Sequence, residues 1–250
     1  MKKLSDLIPN WEDVLRLEPE QLAGIVLEIL VEIDGNDRQF FHRGNFFNQF
    51  AATQNYPAAR GGEVAWATLE AWMYLEREGF LVPRLNDGIH GWVDLSRRAK
   101  KAANRKGVAL YRKASLLPFP EIHPTIASSV YPMYLRGDYD TAVFQAFKEV
   151  EISVRNAARL GNDRLGCPLM RDAFNPKTGP LSDTQEVPGE QTALMELFAG
   201  AIGYFKNPGS HREVELTAIE AAEAIMLASR LLRIVDSRRS QEKTAQPTDG

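Results

Sequence analysis

The spacing of apolar residues in the second half of the chain is the feature that most restricts its fold. From His123 almost to the C-terminus, apolar residues recur three and four positions apart in four segments that glycine or proline separates. The four segments are residues 124–135, 140–160, 190–205 and 213–236. Each segment can bury one face along its length, so the pattern predicts a four-helix bundle. One long irregular connection, residues 161–189, is expected inside this bundle.

The first half predicts a different order of elements. Three segments with helical spacing come first, and glycine ends two of them, at Gly35 and Gly79. These segments are residues 19–32, 44–53 and 63–78. A β-hairpin should follow, because Asn86-Asp87-Gly88 lies between two apolar runs and favours a tight turn. Ser96 can then cap a further helix.

Particular core positions follow from the same spacing. In the first of these helices the apolar face is predicted to consist of Leu22, Ile25, Val26, Ile29, Leu30 and Ile33. In the helix over residues 63–78, the predicted core positions are Val64, Leu69, Trp72, Met73 and Leu75. Either Asp138 or Asp140 is expected to cap the second helix of the C-terminal bundle.

The order of helices, hairpin and basic helix resembles a winged helix. Residues 63–78 would then take the place of the recognition helix, and the hairpin would be the wing. The predicted fold class is therefore mainly α, with an N-terminal winged-helix-like α/β module followed by a C-terminal four-helix bundle. The predicted domains are a module over residues 1–106, a linker over 107–122 and a bundle over 123–237, before a disordered tail over 238–250.

The distribution of charge leaves two interpretations of the first module. The chain as a whole carries −3, but residues 55–115 hold eleven Lys or Arg against six Asp or Glu. Phosphate contact through Arg97, Arg98, Lys100 and Lys101 is one interpretation, and a solvated helix face is the other. The segment in the recognition-helix position carries four glutamates and one arginine, whereas DNA-reading helices usually present Arg, Lys, Asn or Gln. A role in protein contacts therefore stands beside DNA or RNA binding.

Cysteine usage and hydropathy indicate the compartment. Cys167 is the single cysteine, so an internal disulfide is excluded, and the sequence shows no zinc-ligand spacing. Polar residues interrupt the N-terminal sequence, which predicts no signal peptide. No stretch approaches the roughly 20 apolar residues that a membrane span needs. We expect a cytoplasmic protein without a metal, a cofactor or a membrane partner.

The joint between the last two predicted helices carries the candidate chemistry. It consists of Lys206-Asn207-Pro208-Gly209-Ser210-His211-Arg212. Pro208 and Gly209 favour a sharp turn, which places an ammonium, an amide and an imidazole near a helix N-terminus, where an anion is favoured. His211 can transfer a proton near neutral pH, and Lys206 can hold a phosphate, as RNA cleavage without a metal requires. A plain helix connector, with His211 as a capping residue, is the alternative.

Several segments resemble the Ymh-type branch of the HEPN superfamily in the same order along the chain. The segments are His123-Pro124 and residues 137–148, 169–174 and 197–211. The resemblance implies a four-helix bundle that dimerises around a shared cleft. It also implies ribonuclease activity or RNA binding, commonly in bacterial antiphage defence or toxin–antitoxin systems. By position it implies that His211 transfers the proton and that Asn207 follows the basic residue of the motif, which is Lys206 here instead of arginine.

These observations predict a metal-independent endoribonuclease, with RNA as the partner of a homodimer and DNA as a second partner of the first module. The alternative is a non-catalytic nucleic-acid-binding or regulatory protein, because lysine lacks the bidentate fork of arginine. Ser210, Arg212 and Arg155 are the further candidate RNA contacts. Glu149, Glu151 and Arg155 of the second bundle helix could face the motif, although Glu151 and Arg155 could also simply pair on the helix surface.

Overall fold

A computed structural model describes residues 3–33, 38–46, 56–86, 90–206 and 215–245 of the chain. The chain divides into two compact units, residues 1–112 and 113–250, and each has its own cluster of buried apolar side chains. The described parts are mainly helical, as the sequence predicts.

Helices form most of the first unit. They are α1 (Leu4–Leu7), α2 (Trp11–Arg16), α3 (Pro19–Ile33), α4 (Gly61–Arg77), α5 (Arg97–Ala102) and α6 (Arg105–Leu116). Short 3-10 turns lie at Arg38–Phe41 and Ala58–Arg60. The core centres on α3 and α4, which pack along each other. All six apolar positions predicted for α3 are buried, which confirms that its face was identified correctly.

The predicted hairpin is present. Strands β1 (Leu81–Pro83) and β2 (Val93–Leu95) are antiparallel, with Leu81 opposite Leu95. Gly79, which has a φ of +68°, separates α4 from this hairpin. The Ser96 hydroxyl accepts a hydrogen bond from the Ala99 amide at 3.1 Å and caps α5, as predicted. Residues 87–89 of the expected turn, and residues 47–53 of the predicted second helix, lie outside the described residues.

Two predictions for the first unit are wrong. Met73 and Leu69 are not core residues, because Met73 is 53 % exposed and Leu69 is only partly buried. Ala71 and Tyr74 fill the buried face of α4 beside Trp72. The segment predicted as a linker contains α6, because Val108 and Tyr111 lie three residues apart and pack on the core of the first unit. The division between the units falls inside this helix.

The second unit is also helical. Its elements are α7 (Pro124–Arg136), α8 (Tyr139–Ala157), α9 (Gly166–Ala173), α10 (Pro188–Ala201), a π-helical turn (Ile202–Lys206) and α11 (Ala218–Ala245). A 3-10 turn at Phe119–Glu121 precedes α7. Helix α8 is central, because it packs against α7, α9, α11 and the π-helical turn.

Three predictions for the second unit need correction. The connection predicted to be irregular contains α9, whose Leu169, Met170 and Ala173 are buried. Helix α11 begins at Ala218 instead of residue 213 and continues to Ala245, through much of the tail predicted to be disordered. Asp138 precedes α8, but its side chain accepts from Arg136 at 3.1 Å and makes no cap hydrogen bond.

Within the described residues, no helix combines the length and the apolar character needed to cross a membrane. The same residues contain no group of three or more His, Cys, Asp or Glu side chains arranged to hold a metal ion.

Candidate functional site

A buried carboxylate on α8 is the centre of the candidate site. Glu151 is 4 % exposed and accepts three hydrogen bonds. Arg155 Nη2 donates to Oε1 at 2.9 Å, and Lys206 Nζ donates to Oε2 at 2.9 Å. The backbone amide of Gly166 also donates to Oε2, at 2.9 Å. We call Glu151, Arg155, Lys206 and Gly166 the Glu151 cluster.

The π-helical turn brings Lys206 to Glu151. Phe205 stacks on Phe147, with ring centroids 4.8 Å apart and planes 9° from parallel. Phe147 and Glu151 lie four residues apart and therefore on the same face of α8. Consecutive residues of the π-helical turn thus contact consecutive turns of α8. Single π-helical turns are frequent at functional sites, and this one ends at Lys206, the first residue of the segment predicted to carry the chemistry.

The start of α9 supplies the backbone donor. Gly166 is the first residue of this helix and has a φ of +62°, a conformation that residues with a side chain rarely adopt. Its N–H group has no acceptor within the helix, because the first four amides of any helix lack one. The preceding loop is also attached to the cluster, since Arg155 Nε donates to the Arg164 carbonyl at 3.1 Å.

The surroundings keep Glu151 ionised. Burial by itself raises the pKa of Glu151, but the hydrogen bonds from Lys206 and Gly166, together with the charges of Lys206 and Arg155, outweigh burial and lower this pKa. The carboxylate is therefore negative at neutral pH. The Glu151 carboxylate and the cations of Arg155 and Lys206 together carry a net charge of +1. This charge favours an approaching anion such as a phosphate.

The structure brings two of the predicted site residues together. Lys206 and Arg155 converge on Glu151, and their side chains are only 17 % and 12 % exposed. The expected pair between Glu151 and Arg155 is present but is buried instead of lying on the surface. Glu149 does not join them and instead accepts a hydrogen bond from the Gln145 side chain. Asn207, Ser210, His211 and Arg212 lie outside the described residues.

The basic residues predicted to bind nucleic acid in the first unit lie on α5. Arg98 donates to the Glu78 carbonyl and to the Tyr111 hydroxyl, and its guanidinium lies over the Tyr111 ring. This side chain therefore connects α5 to α6 and to the end of α4. Arg97, Lys100 and Lys101 are exposed.

Sequence reasoning missed the central role of Glu151 and the contribution of Gly166. A signal for Glu151 was available, because it lies four residues after Phe147 and three before Val154 and so belongs to the buried face of α8. A charged residue on such a face needs partners. No sequence signal points to Gly166, whose role depends on contact with a helix that precedes it in the chain.

His123 has a structural role at the start of α7. It is buried and lies at the N-cap of α7, where Nδ1 accepts from the Thr125 amide at 3.3 Å. Nε2 therefore carries the proton and donates to Asp236 of α11 at 2.9 Å. The His123 amide also donates to Ser229 Oγ at 2.7 Å. These contacts connect α7 to α11.

Residues 120–235 match the model of a family described as "Protein of unknown function (Hypoth_ymh)". No curated protein and no solved structure matches the chain.

Proposed function

Because residues 120–235 match the Ymh family model and the same segment resembles HEPN domains, we propose that the chain is a metal-independent endoribonuclease of the HEPN type. The observation that carries this proposal is the 2.9 Å contact between Lys206 and the buried carboxylate of Glu151. This contact holds Lys206, the basic residue of the motif, in place directly before the segment that contains His211. We further propose a bacterial antiphage or toxin–antitoxin role, with the second unit as a four-helix, HEPN-like dimer.

The proposed reaction is in-line attack of the ribose 2′-hydroxyl on the adjacent phosphorus. His211 takes the proton of the hydroxyl, and a bond forms between O2′ and phosphorus while the bond from phosphorus to O5′ breaks. A proton returned to O5′ leaves a 5′-hydroxyl on one product and a 2′,3′-cyclic phosphate on the other. Lys206 stabilises the charge that grows on the phosphoryl oxygens, and Asn207 orients the phosphate.

The Glu151 cluster supports the role of Lys206 in this scheme. A lysine side chain is flexible, and ordering it costs conformational entropy. The ion pair with Glu151 orders the Lys206 side chain before substrate binds. The ammonium is therefore already in place when negative charge develops on the phosphoryl oxygens. Arg155 balances the charge of Glu151 independently of Lys206, which lets the ammonium also contact a phosphate.

The test is cleavage of total RNA by purified protein in the presence of EDTA. We expect the wild type to yield fragments with 2′,3′-cyclic phosphate ends, and His211→Ala to yield none. His90→Ala is the matched control, because His90 is exposed in the first unit and contacts His42 through its backbone carbonyl. Cleavage that needs Mg²⁺ and leaves 5′-phosphates would refute the mechanism.

RNA binding without cleavage is the second candidate function, and the lysine at the position of the motif arginine favours it. An ammonium holds a phosphate but cannot make the bidentate contact of a guanidinium. In that case neither the wild type nor His211→Ala would cleave RNA. The wild type would nevertheless bind single-stranded RNA, and Lys206→Ala would weaken the binding.

A further inference from the structure

One face of α4 exposes large side chains in a regular line. The line consists of Trp66, Glu70, Met73 and Arg77, spaced four, three and four residues apart, and we call it the α4 stripe. This spacing places all four on one side of the helix. Trp66 is 66 % exposed and Met73 is 53 % exposed. The opposite side of α4 is buried against α3.

The composition of the α4 stripe is that of a protein contact. Tryptophan, methionine and arginine are enriched in protein–protein interfaces, and tryptophan and arginine are frequent among the residues that contribute most to binding. The central Glu70 would repel a phosphate backbone. The α4 stripe therefore fits a protein partner better than a nucleic acid.

We propose that the α4 stripe binds the same stripe of a second copy of this chain, with the two helices antiparallel about a two-fold axis. An axis midway between Glu70 and Met73 places Trp66 opposite Arg77 of the second copy, and Glu70 opposite Met73 of the second copy. Two-fold symmetry makes each contact twice. A parallel arrangement would instead place Glu70 on Glu70 and Arg77 on Arg77, so the charges favour the antiparallel one.

The contacts within one chain leave Arg77 able to take part. Its guanidinium lies over the Tyr74 ring at 5.0 Å, and Nε donates to Glu78 at 3.0 Å, but 70 % of the side chain is exposed. The same guanidinium can lie over the indole of Trp66 in the second copy, because cation–π contacts are strongest with tryptophan. Glu70 lies one helical turn from the position of that guanidinium.

The proposed contact is small and does not depend on the proposed ribonuclease activity. One helix face buries less than about 1,200 Å² in total, which is the range of weak and transient interfaces. We therefore expect a concentration-dependent equilibrium that involves the first unit.

Disulfide cross-linking tests the axis directly, in full-length Cys167→Ser protein. Antiparallel helices with this axis bring residue 70 near residue 70 of the second copy, offset by about 4.5 Å along the helix. Residue 66 would lie about 16 Å along the helix from residue 66 of the second copy, and the same holds for residue 77. Residue 66 of one copy would instead lie opposite residue 77 of the other. We expect Glu70→Cys and Met73→Cys to form dimers, and Trp66→Cys and Arg77→Cys to cross-link only when mixed. Equal cross-linking at all positions, or none at residues 70 and 73, would overturn the proposal.

Sedimentation of the uncross-linked protein gives a second readout. We expect Met73→Glu to lower the association constant at least tenfold, because it places a carboxylate opposite Glu70 of the second copy, twice in each dimer. Leu85→Glu is the matched control, since Leu85 is a fully exposed apolar residue of the same unit and lies outside the α4 stripe. Unchanged association of Met73→Glu would count against the proposal. Alkylation of the thiol in the Glu70→Cys or Met73→Cys variant distinguishes a nucleic-acid partner. If added RNA slowed the alkylation and higher protein concentration did not, the α4 stripe would bind nucleic acid instead of a second copy.

Discussion

At the scale of single residues, Glu151 is the position on which the candidate site depends most. Its carboxylate is buried, and two cations and one amide bind it from three parts of the second unit. A buried charge is tolerated only when its partners are in place, so this contact stabilises the fold and orders Lys206 together.

Replacing Glu151 by glutamine should destabilise the protein strongly. The amide retains the shape of the side chain but leaves Arg155 and Lys206 without a counter-charge in a buried site, which costs about 3 kcal/mol. Urea unfolding measures the change in the free energy of unfolding. Glu149→Gln is the matched control on the same helix, because Glu149 is only partly buried. A change of equal size in both variants would contradict the role of the cluster.

The contribution of Glu151 to stability should depend on pH in a defined direction. The pKa of Glu151 is lowered in the folded protein from an ordinary value of 4.5, so the unfolded chain binds this proton more readily. The stabilisation is complete above pH 4.5 and is lost as pH falls through the lower folded-state pKa. The difference in unfolding free energy between wild type and Glu151→Gln should therefore be constant from about pH 7 to 5 and shrink below about pH 4.5. A difference that grows on acidification would be inconsistent with this assignment.

At the scale of elements, local sequence signals determine how well each helix can be predicted. Helix α3 is predicted almost to the residue, since Pro19 and a continuous apolar face define it. Helix α9 is missed, because its short apolar pattern lies between prolines and becomes clear only through its packing on α10 and α8. The pairing of Glu151 with Lys206 could not be predicted either, because the two residues are distant in sequence and meet only in the folded unit.

Helix α11 continues beyond its predicted end because of a contact with a distant segment. The side chain of Arg238 is 9 % exposed and pairs with Asp183 and Glu186, which precede α10. Gln191 fixes the same segment by donating to the carbonyl groups of both acidic residues, at 2.7 Å and 2.9 Å. A polar sequence is thus held in a helix by ion pairs that its own pattern does not reveal.

Removing Arg238 should loosen the segment before α10 and the end of α11 together. Arg238→Ala leaves Asp183 and Glu186 without this cation, and we expect a loss of about 2 kcal/mol in the free energy of unfolding. Arg239→Ala should change it by less than about 0.5 kcal/mol, because Arg239 is exposed. Hydrogen exchange should show faster exchange at residues 183–191 in the first variant only. Unchanged hydrogen exchange at residues 183–191 in Arg238→Ala would show that Gln191 alone holds this segment.

At the scale of the whole molecule, the two units have separate cores. Val108 and Tyr111 of α6 belong to the first core, whereas Leu117, directly after this helix, belongs to the second. The sequence predicts a linker over residues 107–122 in this region, but not the helix that contains the division. A helix can connect two units when its apolar residues contact only one of them.

Separate cores predict that the chain can be divided after α6. Fragments 1–116 and 117–250 each retain a complete apolar cluster, and we expect each to unfold cooperatively on its own. Dividing the chain after residue 107 should destabilise the first fragment instead, because Val108 and Tyr111 would be removed from its core. Circular dichroism during thermal unfolding distinguishes the two divisions. If fragment 1–107 unfolded at the same temperature as fragment 1–116, α6 would not be part of the first core, and the boundary would belong before this helix.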